Sequence, residues 1–279
     1  MHPLLKRAAL ATEPLWDPLW IALYRARHGY RAPIPPFTNR DRIGARNVGW
    51  FVEGGRLDYQ TFRQAIERHT ADPLPALSVL DFGAGGGRIL AHFAGHESAN
   101  GWRLAASDVD PTAIAYLRRA WPQVDSRVNA SEPPLPFEAG RFDVLYAFSV
   151  WTHLPPEAQA RWLAEAGRVL RPGGLALITT LGFYGLELLS HSAAPLEAEW
   201  WGVSADDLRR QGVIYHEYAV LGQALPEKEL FSGIQGSYGV SVHDPAYVRR
   251  AWADQGFEVL EIIERAMHGH QDLIVLRRG

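Results

Sequence analysis

Short apolar segments alternate with amphipathic stretches through the middle of the chain. The apolar segments end at turn residues and predict five β-strands, at 78–82, 102–107, 123–129, 142–149 and 175–180. The stretches between them show helical spacing of apolar residues, most clearly at 156–170. Strands that alternate with helices in this way predict right-handed crossovers and a doubly wound, mostly parallel α/β sheet.

The C-terminal part of the chain departs from this alternation. Asp244 and Pro245 are typical of the N-cap and first turn of a helix, and Gly256 of its end. Two more strands are predicted at 257–263 and 272–276. The link of about 8 residues between them is too short for a parallel crossover. The predicted α/β fold is therefore a seven-stranded sheet that ends in an antiparallel hairpin.

The pattern divides the chain into four segments. Residues 1–75 form an N-terminal helical appendage, with a short helix predicted at 58–69, and residues 76–180 form the core. Residues 181–243 are an aromatic-rich insertion, and residues 244–279 complete the core. A connection as long as the insertion is typical of a lid or a binding segment, and its aromatic residues argue against disorder.

Composition narrows the classes of protein that fit. The 279 residues carry a formal net charge of -3, which argues against a nucleic-acid or anionic membrane partner. The absence of cysteine excludes disulfides and thiolate metal sites, and no other ligand cluster stands out, so we expect no metal. No apolar run approaches the roughly 18 residues of a spanning helix. We expect a cytoplasmic protein, and the sequence indicates no oligomeric state.

A glycine-rich turn follows the first predicted strand directly. Glycine permits positive φ and close approach of a ligand, and the amides at the start of the next helix favour an anionic group. Gly83 and Gly85 fit the start of a dinucleotide fingerprint, but Arg88 occupies its third glycine position and Gly87 precedes it. The spacing therefore differs from that of nicotinamide-dependent dehydrogenases.

An acidic residue ends the second predicted strand, about 20 residues after the turn. A carboxylate at this position can accept hydrogen bonds from both hydroxyls of a ribose, which makes Asp108 a candidate ligand. The alternative for Asp108 is a helix cap, the role that suits Asp110 better.

Five stretches in order, at 79–88, 106–110, 129–130, 141–149 and 168–174, resemble the class I S-adenosylmethionine-dependent methyltransferases. The stretch 149–154, the proline-rich stretch that ends at Phe137, and the ending 271–276 are similar to a bacterial subgroup that acts on small molecules or glycans. Ala84 stands where that subgroup often has cysteine. The loop acts through its backbone, so this departure does not weaken the resemblance.

The resemblance implies S-adenosylmethionine as cofactor, with S-adenosylhomocysteine as product. Gly83, Gly85 and Gly87 would lie against its methionine part. Asp81 would contact the methionine ammonium, or alternatively bond the amides of its own loop, and Asp108 would bind the ribose hydroxyls.

The resemblance also assigns the adenine and sulfonium ends. Val109 would pack on the adenine, Asn129 would accept a bond from its amino group, and Ala130 would offer a backbone amide. Phe148 would lie near the sulfonium, with core packing as the equal alternative.

A base is useful because an oxygen or nitrogen nucleophile loses a proton on methylation. His153 follows the fourth strand and His216 lies in the insertion, and these two are the candidate catalytic residues. The alternative for each is a loop histidine with only local bonds. His191 and His243 are weaker candidates.

The sequence thus predicts an enzyme that methylates an oxygen of a small molecule, natural product or sugar-containing acceptor. Methylation of nitrogen is the close alternative, because the fold does not fix the acceptor atom. An NAD(P)-dependent oxidoreductase and a non-catalytic methyltransferase-like scaffold are the alternatives from other classes.

Overall fold

The computed structural model describes residues 3–71, 74–192, 200–217 and 238–279, with side chains of the first helix from residue 14 onward. Two parts of the predicted insertion, 193–199 and 218–237, lie outside the described residues. The helices are α1 (Pro3–His28), α2 (Phe37–Arg42), α3 (Val48–Arg68), α4 (Leu90–His96), α5 (Pro111–Ala120), α6 (Pro156–Val169), α7 (Phe183–Ser190), α8 (Ala205–Gln211) and α9 (Pro245–Ala253). Short 3₁₀ turns lie at Ser98–Asn100 and Trp151–His153.

The described strands form two sheets. They are β1 (Ser78–Phe82), β2 (Arg103–Asp108), β3 (Asp125–Val128), β4 (Phe142–Ala147), β5 (Leu170–Thr180), β6 (Val213–Glu217), β7 (Gly239–His243), β8 (Phe257–Met267) and β9 (Gln271–Arg278). The large sheet has the order β3-β2-β1-β4-β5-β9-β8, and the small antiparallel sheet pairs β6 with β7.

The large sheet confirms the predicted fold class. Its first five strands are parallel, and β9 pairs antiparallel with both β5 and β8. The order of the chain reverses between β1 and β4, because β2 and β3 lie on one side of β1 and β4 lies on the other. In open α/β sheets, ligands bind at such a switch point, outside the carboxyl ends of the strands.

Two apolar layers hold the helices against the sheet. Phe62 of α3, Phe93 of α4 and Ile114 of α5 belong to the layer on one face. Trp162 of α6 and Trp252 of α9 belong to the layer on the other face. Burial of large side chains on both faces explains why the central strands read as apolar runs rather than as alternating patterns.

The helix starts agree with the capping signals in the sequence. The Asp110 side chain accepts a hydrogen bond from the Thr112 amide at 2.8 Å, at the start of α5. The Asp244 side chain accepts one from the Ala246 amide at 3.1 Å, at the start of α9. Pro111 and Pro245 occupy the first turns, where a missing N–H costs no hydrogen bond.

Several predicted lengths were wrong, and two of them bear on the site. The helix predicted at 58–69 is α3, which begins ten residues earlier, at Val48. The hairpin link predicted at about 8 residues spans only residues 268–270, because β8 continues to Met267. Within the described residues, no helix has the length and apolar character that crossing a membrane requires.

Candidate functional site

A cavity of about 860 Å³ opens at the carboxyl ends of β1, β2 and β4, the switch point of the sheet. The glycine-rich turn forms its floor, and residues from the start of α2 to Trp50 of α3 form one wall. The turn between β8 and β9 contributes a second wall through His268 and His270. Side chains distant in sequence therefore face one space.

Hydrogen bonds to β2 hold the glycine-rich turn against the sheet. The Gly83 and Ala84 amides both donate to the Ser107 carbonyl, at 2.9 and 3.1 Å. Gly83 has a φ of 81°, and a Cβ on it would lie 2.5 Å from Val150 Cγ2. A Cβ on Gly85 would lie 2.7 Å from Ile43 Cγ2. The neighbours of this turn leave no room for a larger residue at either position.

Gly87 has a different surrounding. A Cβ on it would lie 2.6 Å from Leu117 Cδ2 of α5, so this glycine permits close packing of the turn on a helix. Gly87 is not among the described residues that line the cavity, whereas Gly83, Gly85 and Gly86 are. Gly87 therefore packs on α5, whereas Gly83 and Gly85 face the cavity in which a cofactor would lie.

Asp108 orders the turn from the end of β2. Its Oδ2 accepts a hydrogen bond from the Gly85 amide at 2.7 Å, and its Oδ1 accepts one from the Asp110 amide at 2.8 Å. Burial raises the pKa of this carboxyl, and the two backbone bonds oppose that rise. Each carboxylate oxygen has a second lone pair, so both oxygens can also accept from ligand hydroxyls. Val109 lines the cavity beside it.

Asp81 is buried at the floor of the cavity, where Tyr146 Oη donates to its Oδ2 at 2.8 Å. Burial raises the pKa of Asp81 to about 7, against the effect of the bond from Tyr146. The Asp108 charge raises the Asp81 pKa further, and the Arg88 charge lowers it. A ligand cation at this floor would favour the ionised carboxylate.

Asn129 presents a buried oxygen at the far end of the cavity. Its Nδ2 donates to the Ala130 carbonyl at 2.7 Å, which turns Oδ1 the other way. This Oδ1 is buried and has no hydrogen-bond partner among the described residues. A buried acceptor without a donor costs on the order of 1–3 kcal/mol, which an amino group of a ligand would offset. Ala130 itself is not among the described lining residues.

Phe148 and Ser149 follow β4 and line the centre of the cavity. The Arg88 guanidinium lies 4.7 Å from the Phe148 ring centroid. Ser149 has a φ of 57°, a left-handed conformation that is uncommon outside glycine. Its amide donates to Thr179 Oγ1 at 2.7 Å, and its Oγ accepts from Gln271 Nε2 at 3.1 Å. These bonds fix the strained residue at the sheet edge.

The structure places the two candidate bases differently. His153 lines the cavity, stacks on Tyr238 at 4.8 Å, and has its Nδ1 2.8 Å from the Gly239 carbonyl. That carbonyl can only accept, so Nδ1 carries the proton. Burial lowers the pKa of His153. His216 lies in β6 against Trp200, at 4.6 Å between ring centroids, and is not among the described lining residues.

The weaker candidates also lie elsewhere. His191 is exposed at the end of α7, and His243 is buried with its Nε2 2.8 Å from Gln159 Oε1. Neither is among the described residues that line the cavity. The structure thus brings together most of the predicted cofactor residues and one of the two predicted bases.

Sequence reasoning missed several residues of the cavity. Trp50 and His268 line it, and their ring centroids are 4.6 Å apart. Asp58 lies behind them, paired with Arg88 at 2.6 Å. No local motif marks these residues, because α3 and the β8–β9 turn meet only in the folded chain. The sequence His268-Gly269-His270 was the one available signal, and it is also typical of an ordinary turn.

The described residues form an α/β protein with a cavity at the switch point of its sheet and an antiparallel hairpin at the end of that sheet. Residues 79–174 match the model of a family described as "Methyltransferase domain". This segment is a methyltransferase domain, and the resemblance to the class I S-adenosylmethionine-dependent methyltransferases is confirmed.

Curated relatives share the same region. The chain is 34% identical over 121 residues to the "Probable S-adenosylmethionine-dependent methyltransferase Rv3030" of Mycobacterium tuberculosis, over 42% of this chain and 40% of that protein. It is 28% identical over 156 residues to the ubiquinone biosynthesis O-methyltransferase of Xylella fastidiosa, over 50% of this chain and 58% of that protein. The chain thus spans less than half of the mycobacterial relative and less than two thirds of the other.

Solved structures extend the likeness of fold beyond the matched domain. An S-adenosylmethionine-dependent methyltransferase from Mesorhizobium loti superposes with a TM-score of 0.55 at 15% identity, over 80% of this chain and 100% of that one. A 1,6-didemethyltoxoflavin-N1-methyltransferase from Burkholderia thailandensis has a TM-score of 0.50 at 17% identity, over 89% of this chain and 93% of that one. At these identities the likeness shows the fold alone.

Proposed function

We propose that this protein is an S-adenosylmethionine-dependent methyltransferase, and that its acceptor is a small molecule methylated on oxygen. The matched domain and the names of the relatives support the enzyme class and the cofactor. The observation that carries the assignment is Asn129 Oδ1, buried and without a donor among the described residues. An adenine amino group is the kind of donor that this oxygen lacks.

The residues at the switch point fit the cofactor in three parts. Asp108 would bind the ribose hydroxyls with its remaining lone pairs, and Val109 would pack on the adenine beside Asn129. Gly83 and Gly85 would lie against the methionine part, whose ammonium Asp81 would balance. Gly87 would support the turn from behind through Leu117, and Ala130 would hold the Asn129 amide in place.

When bound, S-adenosylmethionine supplies an electrophilic methyl group on a sulfonium. The protein then has to position the acceptor, exclude water and accept a proton. Phe148 and Ser149 would line the meeting point of cofactor and acceptor. Of the two bases proposed from the sequence, His153 lines the cavity. His216 is not among the described lining residues, so it would have to reach the acceptor from farther away.

The segments around the core would close over the cofactor and build the acceptor pocket. Arg42, Ile43 and Trp50 of the N-terminal appendage line the cavity, as does Tyr238 of the insertion. We propose a cytoplasmic enzyme without a metal, acting on a small-molecule or glycan acceptor, in line with the cysteine-free composition and the formal net charge of -3. Methylation of nitrogen is the alternative for the same site.

Calorimetric titration with S-adenosylhomocysteine tests the cofactor assignment. Asp108→Ala removes two charge-assisted hydrogen bonds to the ligand, each worth about 1.5–3 kcal/mol, so affinity should fall by more than about 100-fold. Asp206→Asn on α8, with an aspartate that is 75% exposed, is the control and should bind like the wild type. Tight binding of NAD with no binding of S-adenosylhomocysteine would instead support the oxidoreductase.

A further inference from the structure

A second group of side chains borders the cavity beside the glycine-rich turn. It consists of Trp50 and Asp58 of α3, Arg88 after the glycine-rich turn, and His268 in the turn between β8 and β9. None of the cofactor contacts proposed above uses these residues. Trp50 and His268 line the cavity directly, whereas Asp58 lies behind them with 2% of its side chain exposed.

Asp58 is bonded to both of its charged neighbours. Its Oδ2 lies 2.6 Å from Arg88 Nη2, and its Oδ1 lies 3.0 Å from His268 Nε2. Burial of a carboxylate is costly unless it is paired, and Arg88 provides the pairing charge. The ionised Asp58 can then hold the imidazole in one orientation, with 11% of the His268 side chain exposed.

The contacts of the imidazole assign its proton. Arg88 Nη1 also lies 3.3 Å from His268 Nε2, but arginine can only donate and a carboxylate can only accept. An Nε2 lone pair 3.0 Å from the Asp58 carboxylate would be repelled, so Nε2 carries the hydrogen and donates to Asp58. Nδ1 is then the basic nitrogen, and it has no hydrogen-bond partner among the described residues.

The backbone and the neighbouring rings fix this imidazole in place. His268 has a φ of 51°, one of three described non-glycine residues in the left-handed region, and Ser149, which also lines the cavity, is another. Strained residues of this kind cluster at functional sites. The Trp50 ring centroid lies 4.6 Å from that of His268, and the Phe148 ring meets the imidazole edge to face at 5.9 Å.

We propose that His268, oriented by Asp58, is the base that takes the proton from the acceptor, and that the acceptor is a planar molecule with a phenol-type hydroxyl. The inference rests on the proposed methyl transfer and assigns its acceptor side. It places the base in the β8–β9 turn instead of at His153.

The chemistry of the base selects the class of hydroxyl. Histidine has a pKa of about 6.5 and a tyrosine-like phenol has a pKa of about 10. Proton transfer from the phenol to the imidazole is therefore unfavourable by only a few pKa units. An alcohol-type hydroxyl, close to water with its pKa near 15.7, is a far weaker acid, so a phenol is the closer match to a neutral imidazole. The aromatic walls formed by Trp50 and Phe148 suit a flat acceptor, since aromatic rings pack well face to edge or in offset stacks.

The proposed methyl transfer balances in atoms and charge when S-adenosylmethionine is the methyl donor. The acceptor hydroxyl gives its proton to His268 Nδ1 and keeps the electron pair on oxygen. That pair forms the new bond to the methyl carbon as the carbon–sulfur bond breaks, and the broken bond's pair stays on sulfur as a neutral thioether. The imidazolium, balanced by Asp58, returns the proton to solvent.

Ionisation of a bound phenol tests the proposal without turnover. The probe is 4-nitrophenol, whose phenolate absorbs visible light, added to full-length protein with S-adenosylhomocysteine. The wild-type protein should ionise the bound probe at lower pH than solvent does. His268→Asn should abolish this shift, because asparagine tolerates the left-handed backbone but cannot take the proton. His191→Asn, at an exposed position outside the cavity lining, is the matched control and should keep the shift.

A second variant tests the role of Asp58 in orienting the His268 imidazole while keeping a side chain of the same size, so that the protein still folds. Asp58→Asn keeps an oxygen for the Nε2 hydrogen but removes the charge, so the probe should ionise at higher pH than in the wild type. The other titratable groups that face the imidazole are Arg88 from the glycine-rich turn and His270 from its own turn, and both variants leave them in place. In turnover assays with phenolic acceptors, His268→Asn should lower kcat about 100-fold or more, the usual contribution of a general base.

The outcomes are distinct. Equal ionisation of the probe by wild type and His268→Asn, or no ionisation by the wild type, overturns the proposal. Loss of ionisation in His153→Asn with its retention in His268→Asn also overturns it and assigns the base to His153. Failure of the wild type to bind S-adenosylhomocysteine in calorimetry contradicts the proposed function itself, which the probe alone does not address.

Discussion

The two halves of the cavity are built in different ways. The half that we propose for the cofactor, called the cofactor half, consists of the turn after β1 and the ends of β2 and β3, and much of it presents backbone groups such as the Gly83 and Ala84 amides. The other half, which we propose for the acceptor, is called the acceptor half. The acceptor half consists of side chains from α3, the residues after β4 and the β8–β9 turn. Asp58 and His268, which meet there, are separated by 210 residues in the chain.

This difference separates cofactor binding, which many methyltransferases share, from the choice of acceptor, which differs between them. Backbone amides and a strand-end carboxylate require only that the sheet forms with the right turns, so one cofactor half can serve many acceptors. The acceptor half depends on which side chains the outer segments bring over the sheet. Variants in one half should therefore affect cofactor binding, and variants in the other half should affect the acceptor.

The largest effect is expected for Gly83→Ala. The left-handed φ of 81° costs a non-glycine residue on the order of 1–2 kcal/mol. The added Cβ, 2.5 Å from Val150 Cγ2, adds overpacking of about 1–3 kcal/mol. Chemical denaturation should show a loss of about 2–5 kcal/mol in the free energy of unfolding, and S-adenosylhomocysteine binding should be lost with it.

Gly173→Ala is the matched control for that variant. Gly173 also has a positive φ, of 76°, but no described atom lies within 4 Å of the position that a Cβ would take there. It should lose only the roughly 1–2 kcal/mol of the conformational cost and keep full affinity. Equal losses for the two variants would mean that space around the Gly83 turn is not restricted.

The sequence was sufficient to predict the sheet and most of the residues that line the cavity around the glycine-rich turn. Asp108 and the glycine-rich turn stand in local motifs, and β1 and β4 read as short apolar runs because they are buried on both faces. The start of α3 was missed because Gly54 and Gly55 lower the helix propensity. The structure gives the reason for Gly55, since a Cβ there would collide with the Arg88 carbonyl oxygen.

The acceptor half could not be predicted in the same way. The contact of His268 with Asp58 depends on the antiparallel placement of β9 between β5 and β8, which brings the β8–β9 turn to α3. His153 was found because it follows a strand whose end faces the switch point. His216 follows no such strand, and its position in the small sheet with β7 was not visible in the sequence.

The next largest effect is the pH dependence of cofactor binding. Burial raises the pKa of Asp81 to about 7, so its carboxyl is mostly protonated at pH 6 and mostly ionised at pH 8. Only the ionised form balances an ammonium, and the apparent affinity scales with the ionised fraction. The affinity for S-adenosylhomocysteine should therefore rise about tenfold from pH 6 to pH 8.

Asp81→Asn is the control for this titration. It should bind S-adenosylhomocysteine weakly and with much less pH dependence, because the neutral amide does not titrate. Burial also raises the pKa of Asp108, so any slope that remains in this variant reports the second carboxyl. An unchanged tenfold rise in Asp81→Asn would remove Asp81 from the cofactor half.

A smaller effect is expected in the acceptor half for Trp50→Ala. The Trp50 ring is 46% exposed and packs on His268, so its loss removes about 1 kcal/mol of aromatic contact with a flat acceptor. Binding of 4-nitrophenol should weaken about fivefold, with S-adenosylhomocysteine affinity unchanged. Trp201→Ala, at a tryptophan that is 56% exposed, is the control. A larger effect on the cofactor than on the phenol would contradict the division into halves.

The smallest effect concerns the border between the two halves. Arg42, at the end of α2, pairs with Asp110 beside the cofactor half, although it belongs to the N-terminal appendage. A partly buried ion pair of this kind contributes about 0.5–1 kcal/mol, so Arg42→Met should weaken S-adenosylhomocysteine binding about threefold. The difference from wild type should shrink at 1 M salt, where the Debye length is about 3 Å.

Arg46→Met, which breaks the exposed pair with Asp41, should leave the affinity unchanged. Equal weakening in both variants would mean that net charge acts at long range, whereas an effect of Arg42 alone would place the end of α2 in the cofactor half.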